Sequence, residues 1–305
     1  MPNRQTRRAN AAMDRSATKG MSRRCVGCER VGQKMSREHF YPLWLIERAR
    51  ITRGINWATK KGVDPRSATV PLCETCNNEF GAKLESPVAF AFDKLEKDLG
   101  ITDYEAELLV RWLWKAEGIS WTAMNPRDHY SSIWTLRERA LGAGFRNIRA
   151  GLSLAIALVK EVDTHVVDLP LGFDSPAGYK NSIFMSGVFC HVAIMCLLSE
   201  FSHLVPPAYS IYQFPDRPTA IDASVFFPER TFVTFDDAIE YTSKSSAALW
   251  LAHERLAAKW SSDKQNLFLK RTRIELAEPE DLSAPFAETI AVVSKSLLGY
   301  HTAGK

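Results

Sequence analysis

The sequence predicts an α+β protein: a small unit stapled by cysteines, followed by a larger mixed, helix-rich domain. Three observations predict it. Four of the six cysteines form two CxxC pairs, Cys25/Cys28 and Cys73/Cys76, within the first 85 residues. Charge divides at the same place: residues 1–85 carry 17 Lys/Arg against 8 Asp/Glu, and residues 86–305 carry 22 against 27. From about Pro87 onward, Trp and Leu recur at helical spacing. A chain of 305 residues, 46% hydrophobic and 24% charged, is long enough for two compact units. Its composition excludes a disordered, collagen-like or coiled-coil protein. The basic excess of the first third points to a polyanionic partner there.

Residues 1–24 hold seven Arg/Lys and one acid with almost no large apolar side chains. They cannot bury enough surface to offset their ordering entropy, so they read as a flexible basic arm, either a phosphate-binding tail or a solubilising terminus. Residues 25–86 form the small unit. Ser36–Tyr41 reads as a strand, and Pro42–Arg50 as a helix with Leu43, Trp44 and Ile46 apolar. Residues 52–70, rich in Gly, Lys and Thr, read as loop or hairpin. A helix from Asn77 to Glu85 carries Phe80 and Leu84 on one apolar face.

Residues 87–305 form the larger domain. Helical patterns recur at 88–99, 103–117, 131–141 and 151–162. Prolines from Pro170 to Pro218 interrupt the middle, and strand-like runs follow at 208–214, 224–227 and 230–235. A long helix over 236–260, a strand over 267–276 and a closing helix over 285–298 complete the reading. Ile183–Leu198 is strongly apolar, but it has only 16 residues and contains Ser186, Gly187 and His191. It predicts a buried core helix or helix–strand pair, being too short for a membrane span of about 20 residues.

The first 24 residues show no apolar signal segment, which predicts a reducing, cytoplasmic compartment. There, paired CxxC motifs read as metal ligands. Two knuckles of two thiolates complete a tetrahedron around one structural Zn²⁺ at about 2.3 Å per Zn–S bond. Some sixty residues with few large aliphatics need that metal as part of their folding free energy. The competing readings are four unrelated buried thiols or a redox pair. Cys190, His191 and Cys196 lie in an apolar run and read as core. His129, His165, His203, His253 and His301 lack metal-ligand spacing. No GxxxxGK[ST], GxGxxG or GxSxG motif is present, so an ATP-driven or hydride-transfer activity has no support.

Between the knuckles lies Ser36-Arg37-Glu38-His39-Phe40-Tyr41-Pro42, and the second knuckle is followed at once by Asn77-Asn78. The segments CVGC, SREHFYP and LCETCNNEFGAKLE resemble the HNH endonuclease family, also called ββα-metal or His-Me finger. The likeness is to its four-cysteine zinc subgroup, similar to the endonuclease VII type, and covers residues 25–85, about a fifth of the chain. The resemblance implies a ββα-metal finger that hydrolyses DNA, with RNA not excluded, to 5′-phosphate and 3′-hydroxyl ends. It implies His39 as general base, and Glu38 and Asn77 as holders of a catalytic Mg²⁺ or Mn²⁺, the zinc remaining structural.

The residue types suit that chemistry. A neutral imidazole is the natural base near neutral pH, and a hard cation prefers a carboxylate and an amide oxygen. Two positions depart from the family. Glu38 stands where Asp is commoner, and Asn77 replaces the last histidine, which disfavours Zn²⁺ or Ni²⁺ at the active site. Asn56, 17 residues after His39, is the candidate for the family's middle asparagine, or is a loop asparagine with no role. Arg37, Arg48, Arg50, Arg53, Lys60 and Lys61 are candidate phosphate contacts, each also readable as a solvated surface charge. Trp44 and Leu45 read as core of the small unit rather than as DNA contacts.

Residues 87–305 would then serve target selection, dimerisation or regulation. A homodimer suits double-strand cutting, because one HNH centre nicks one strand. An activating ligand or protein for the larger domain is a further expectation, and the build resembles bacterial or phage-encoded defence and restriction nucleases. Two alternatives stay open: a non-cleaving zinc-finger nucleic-acid-binding protein, or an effector nuclease silent until residues 87–305 bind a signal.

Overall fold

The computed structural model describes residues 24–51, 54–57, 60–125, 134–162, 171–174, 183–219 and 222–258. The basic arm, apart from Arg24, and the elements expected at 267–276 and 285–298 lie outside the described residues. The chain is mixed α and β. Strand β1 (Met35–His39) pairs antiparallel with β4 (Thr69–Cys73), placing Met35 opposite Cys73 and His39 opposite Thr69. Between them run helix α1 (Leu43–Ala49), a hairpin of β2 (Ile55–Trp57) with β3 (Lys60–Val63), and a 3-10 turn at Pro65–Ser67. The hairpin and turn answer the Gly- and Pro-containing stretch read as loop or hairpin.

β4 runs straight into α2 (Glu74–Phe80), with Cys73 as its N-cap. The helix therefore starts three residues before the expected Asn77. It continues without a break through a π-turn at Gly81–Glu85 into α3 (Ser86–Glu96). The boundary expected after residue 86 thus falls inside a continuous helix. Phe80, Leu84, Val88, Phe92 and Leu95 are all fully buried along it, and that apolar row carries the helix from the small unit into the larger one.

Helix α4 (Asp103–Met124) is the longest element of the middle of the chain. Thr102 and Glu105 cap its start reciprocally: Thr102 Oγ1 accepts from the Glu105 amide at 3.1 Å, and the Thr102 amide donates to Glu105 Oε2 at 2.7 Å. It is buried on almost every side. Short helices α5 (Leu136–Ala140) and α6 (Phe145–Ile148) follow, α5 again with a capping box, from Thr135 and Glu138.

The larger part is built on a six-stranded sheet in the order β10 (Arg230–Thr234), β5 (Leu152–Glu161), β8 (Val192–Leu198), β7 (Met185–Phe189), β6 (Leu171–Asp174), with β9 (Ser210–Gln213) also on β5. All pairings are antiparallel except β10 with β5. Helix α7 (Phe235–Ala258) packs against β7, β8 and β10. Ser186 Oγ bonds Ser246 Oγ of α7 at 2.5 Å, whereas Phe189 stacks edge-on against Trp112 of α4 at 5.0 Å. Ser186 and Phe189 are three residues apart on one strand and so face opposite sides. The sheet lies between α7 and the α3–α4 pair.

Two elements differ from the expectations. Residues 151–162, expected to be helical, form β5. Every position from Leu152 to Val159 is buried, so no polar face marks a period, and a continuous apolar run cannot be assigned by periodicity. The apolar run 183–198 is neither helix nor helix–strand pair but the β7–β8 hairpin. It turns at Cys190-His191, with Cys190 at φ +54°. The strand expected at 224–227 reduces to a single bridge between Phe226 and Ile101. Among the described residues, no helix is long and apolar enough to cross a membrane.

One core joins the two parts, running from Cys25 to Leu249. Trp44 of α1 packs on Phe92 of α3 at 5.2 Å and on Trp112 of α4 at 6.1 Å. The Arg137 amide donates to the Gly27 carbonyl at 2.8 Å, and its side chain to Glu79 at 2.5 Å.

Candidate functional site

Cys25 and Cys28 lie in the turn before β1, Cys73 ends β4, and Cys76 lies in the first turn of α2. The β1–β4 pairing brings the two knuckles together. All four Sγ atoms lie within 4.8 Å of one another, with Cys28 Sγ and Cys73 Sγ 3.9 Å apart. A tetrahedron with Zn–S bonds of about 2.3 Å needs sulfurs about 3.8 Å apart. The spacing fits, and the four thiols could hold one zinc ion.

Backbone amides already point at the sulfurs: Cys73 N donates to Cys25 Sγ at 3.2 Å, Cys28 N to the same sulfur at 3.5 Å, and Cys76 N to Cys73 Sγ at 3.5 Å. The Cys76 thiol, followed by the Cys73 and Cys28 amides, holds Cys25 down to about 4 against its burial. Gly27 permits the close approach, because a Cβ there would lie 3.2 Å from Cys76 Cβ and Sγ.

The adjacent pair on β1 divides between environments. Glu38 points into the protein and is 8% exposed, whereas His39 at the strand end is half-buried. Burial lowers the His39 pKa below its ordinary value, and the nearby Lys115 charge lowers it further. A hydrogen bond to the Arg66 backbone carbonyl and the charge of Asp64 oppose these. Donating one ring N–H to that carbonyl leaves the other ring nitrogen as an acceptor. The 3-10 turn that presents the carbonyl is itself fixed by Asp64, whose side chain accepts from the Arg66 amide at 2.9 Å.

Glu38 was expected to face an ion, and the structure gives it a different neighbour. Its carboxylate accepts from Lys115 Nζ, which also donates to Glu85 at the end of the π-turn. Trp44 Nε1 donates to the other Glu85 oxygen at 2.8 Å. Burial raises the Glu38 pKa, the Lys115 charge lowers it, and the Glu85 charge raises it. Asn77, directly after Cys76, sits half-buried on α2, the helix packed against β1. A carboxylate and an amide oxygen are a donor set suited to a hard divalent cation.

The basic candidates separate. Arg37 and Arg50 are exposed. Arg48 is engaged within the protein: it pairs with Asp93 and, at 2.5 Å, with Glu96 of α3. Arg53 lies outside the described residues. Asn56 on β2 and Lys60 and Lys61 on β3 have backbones among the described residues, but their side chains lie outside them. Arg66, which the sequence reading passed over, is exposed beside His39.

Sequence reasoning also missed Lys115 and Glu85. A signal existed for the first: in Leu108–Ile119 Lys115 sits among Leu, Val, Trp and Ala on a helix dense in apolar residues, and lysine in such a place is normally paired. The Arg66 carbonyl left no signal, since a backbone group has no identity in sequence. Compared with protein-family models, curated proteins and solved structures, the chain finds no match.

Proposed function

We propose that this protein is a metal-dependent endonuclease of the HNH type that hydrolyses DNA phosphodiester bonds. The observation that carries the reading is the Glu38-His39 pair on β1, antiparallel to β4, which enters α2 through the four-cysteine cluster. The order β1, β4, α2, with Asn77 on the helix, supports reading this unit as a ββα finger.

In this reading the cysteine cluster is structural, since thiolates fill all four zinc positions. Glu38 and Asn77 would hold a Mg²⁺ or Mn²⁺ ion, which when bound neutralises charge on the phosphate and the departing oxygen. His39 works as the base. Its neutral form is favoured by burial, the Arg66 carbonyl fixes the ring, and the free nitrogen takes a proton from water. The water oxygen bonds to phosphorus as the P–O3′ bond breaks, and the 3′ oxygen leaves to take a proton from solvent. Exposed Arg37, Arg50 and Arg66 would meet backbone phosphates. Residues 87–305 would supply target choice, dimerisation or control, in a bacterial or phage defence setting.

The test is incubation of supercoiled plasmid with the purified, zinc-loaded chain and Mg²⁺ or Mn²⁺. Nicking or linearisation is expected, and EDTA and His39→Ala should each abolish it. Cleavage that survives His39→Ala overturns the assignment of the base. DNA retention on a gel without cleavage under any metal favours a non-cleaving binding protein instead.

A further inference from the structure

Glu38 is the point at which the larger part of the chain reaches the proposed ion site. Lys115, midway along α4 and 2% exposed, donates from its ammonium to Glu38 and Glu85 together. The ammonium also lies 5.3 Å from the centre of the Phe80 ring. Two buried carboxylates share one buried cation, so a cation position is already filled where Glu38 would meet a metal. A divalent ion on Glu38 would repel the ammonium beside it at low dielectric, so the two cations compete for that carboxylate.

We propose that Lys115 is an ion gate: it holds Glu38 in the state seen here and withdraws onto Glu85 alone when a divalent ion takes Glu38. The proposal rests on the reading of Glu38 as an ion ligand. Glu85 is what makes the exchange feasible. A buried ammonium left unpaired is strongly unfavourable, but one that keeps Glu85 is still neutralised. Trp44 Nε1 holds the far oxygen of Glu85, so that carboxylate stays in place when Glu38 turns away.

The gate is also connected to the rest of the molecule. Trp112 and Trp114, both in the turn of α4 just before Lys115, respectively pack on Phe189 at 5.0 Å and donate to the Ile183 carbonyl at 3.4 Å. Any shift of α4 against the sheet moves the ammonium relative to Glu38.

The experiment is titration of the zinc-loaded, full-length chain with Mn²⁺, followed by calorimetry and by the electron paramagnetic resonance of free Mn²⁺. Lys115→Met removes the competitor and should tighten Mn²⁺ binding by roughly 10- to 100-fold. Glu85→Gln removes the alternative partner and should weaken it by about tenfold or more. A purely structural role for the cluster moves both variants in the same direction, and that result overturns the gate.

Where Lys115→Met fails to retain zinc and native circular dichroism, the double variant Lys115→Met with Glu85→Gln replaces it. It is expected to bind Mn²⁺ at least as tightly as the parent, and weaker binding counts against the gate. Glu38→Gln separates the two layers. If it leaves Mn²⁺ binding unchanged, the ligand reading fails and the gate with it. If it abolishes binding while Lys115→Met leaves affinity at or below the parent value, the reading stands and only the gate falls.

Discussion

Arg48 and Arg50 are two residues apart and have opposite surroundings. Arg48 points along α1 toward α3, where Asp93 and Glu96 take its guanidinium, and it stacks 5.6 Å from the Trp44 ring. Arg50 ends the same helix at φ +48°, its amide bonded to the Glu47 carbonyl and its side chain exposed. Removing Arg48 leaves partly buried Glu96 without its partner, so Arg48→Ala should lower stability by about 1–3 kcal/mol with little change in DNA affinity. Arg50→Gly should do the reverse. Glycine takes the left-handed conformation freely, so thermal stability should hold or rise. DNA affinity should fall, and the slope of log affinity against log salt should shrink by about 1. Thermal melts together with salt-dependent binding curves check both. Equal effects of the two variants on DNA binding would remove the distinction drawn from their neighbours.

Elements built on local patterns were legible in the sequence, and those decided by distant packing were not. α1, α4 and α7 show apolar periodicity, caps or both, and each lies close to its expected place. The cysteine cluster was legible because CxxC spacing is a local signal of a tetrahedral site. β5 and the β7–β8 hairpin were not, because α3, α4 and α7 cover both faces of the sheet and leave no alternation to read. Lys115 was overlooked for a related reason: its partners Glu38 and Glu85 lie 77 and 30 residues away. The hairpin β2–β3 offers a test at this scale. An added Cβ at Gly54 would lie 2.5 Å from the Gly62 carbonyl carbon and 2.6 Å from its oxygen, both backbone atoms that a rotamer change cannot move. Gly54→Ala should open this hairpin, which carries Asn56, Lys60 and Lys61, while leaving the cysteines bound to zinc. The expected result is weaker DNA binding at one zinc per chain, measured by metal analysis beside a binding titration. Unchanged binding would show that the hairpin makes no contact with nucleic acid.

At the scale of the whole molecule, the small unit and the larger part share one core and are expected to fold together. The helix from Glu74 to Glu96 crosses the expected boundary without a break. Leu45, Phe80 and Leu84 belong to the same core as Phe92 and Trp112. Glu38 and Glu85 have their buried countercharge on α4, and the turn holding Cys25 and Cys28 is bonded through Gly27 to Arg137. A fragment ending at residue 86 would expose the apolar side of the truncated helix and leave two inward-facing carboxylates without Lys115. Zinc would have to offset both losses in a unit with little core of its own. Such a fragment is expected to stay largely unfolded even with zinc, giving a collapsed amide spectrum by nuclear magnetic resonance. The full chain treated with a strong zinc chelator should lose protection not only around the cysteines but along α4, as hydrogen exchange at residues near Lys115 would report. A well-dispersed spectrum from the zinc-bound fragment would establish the small unit as an independent domain. It would also remove the basis for coupling the ion site to the rest of the molecule through α4.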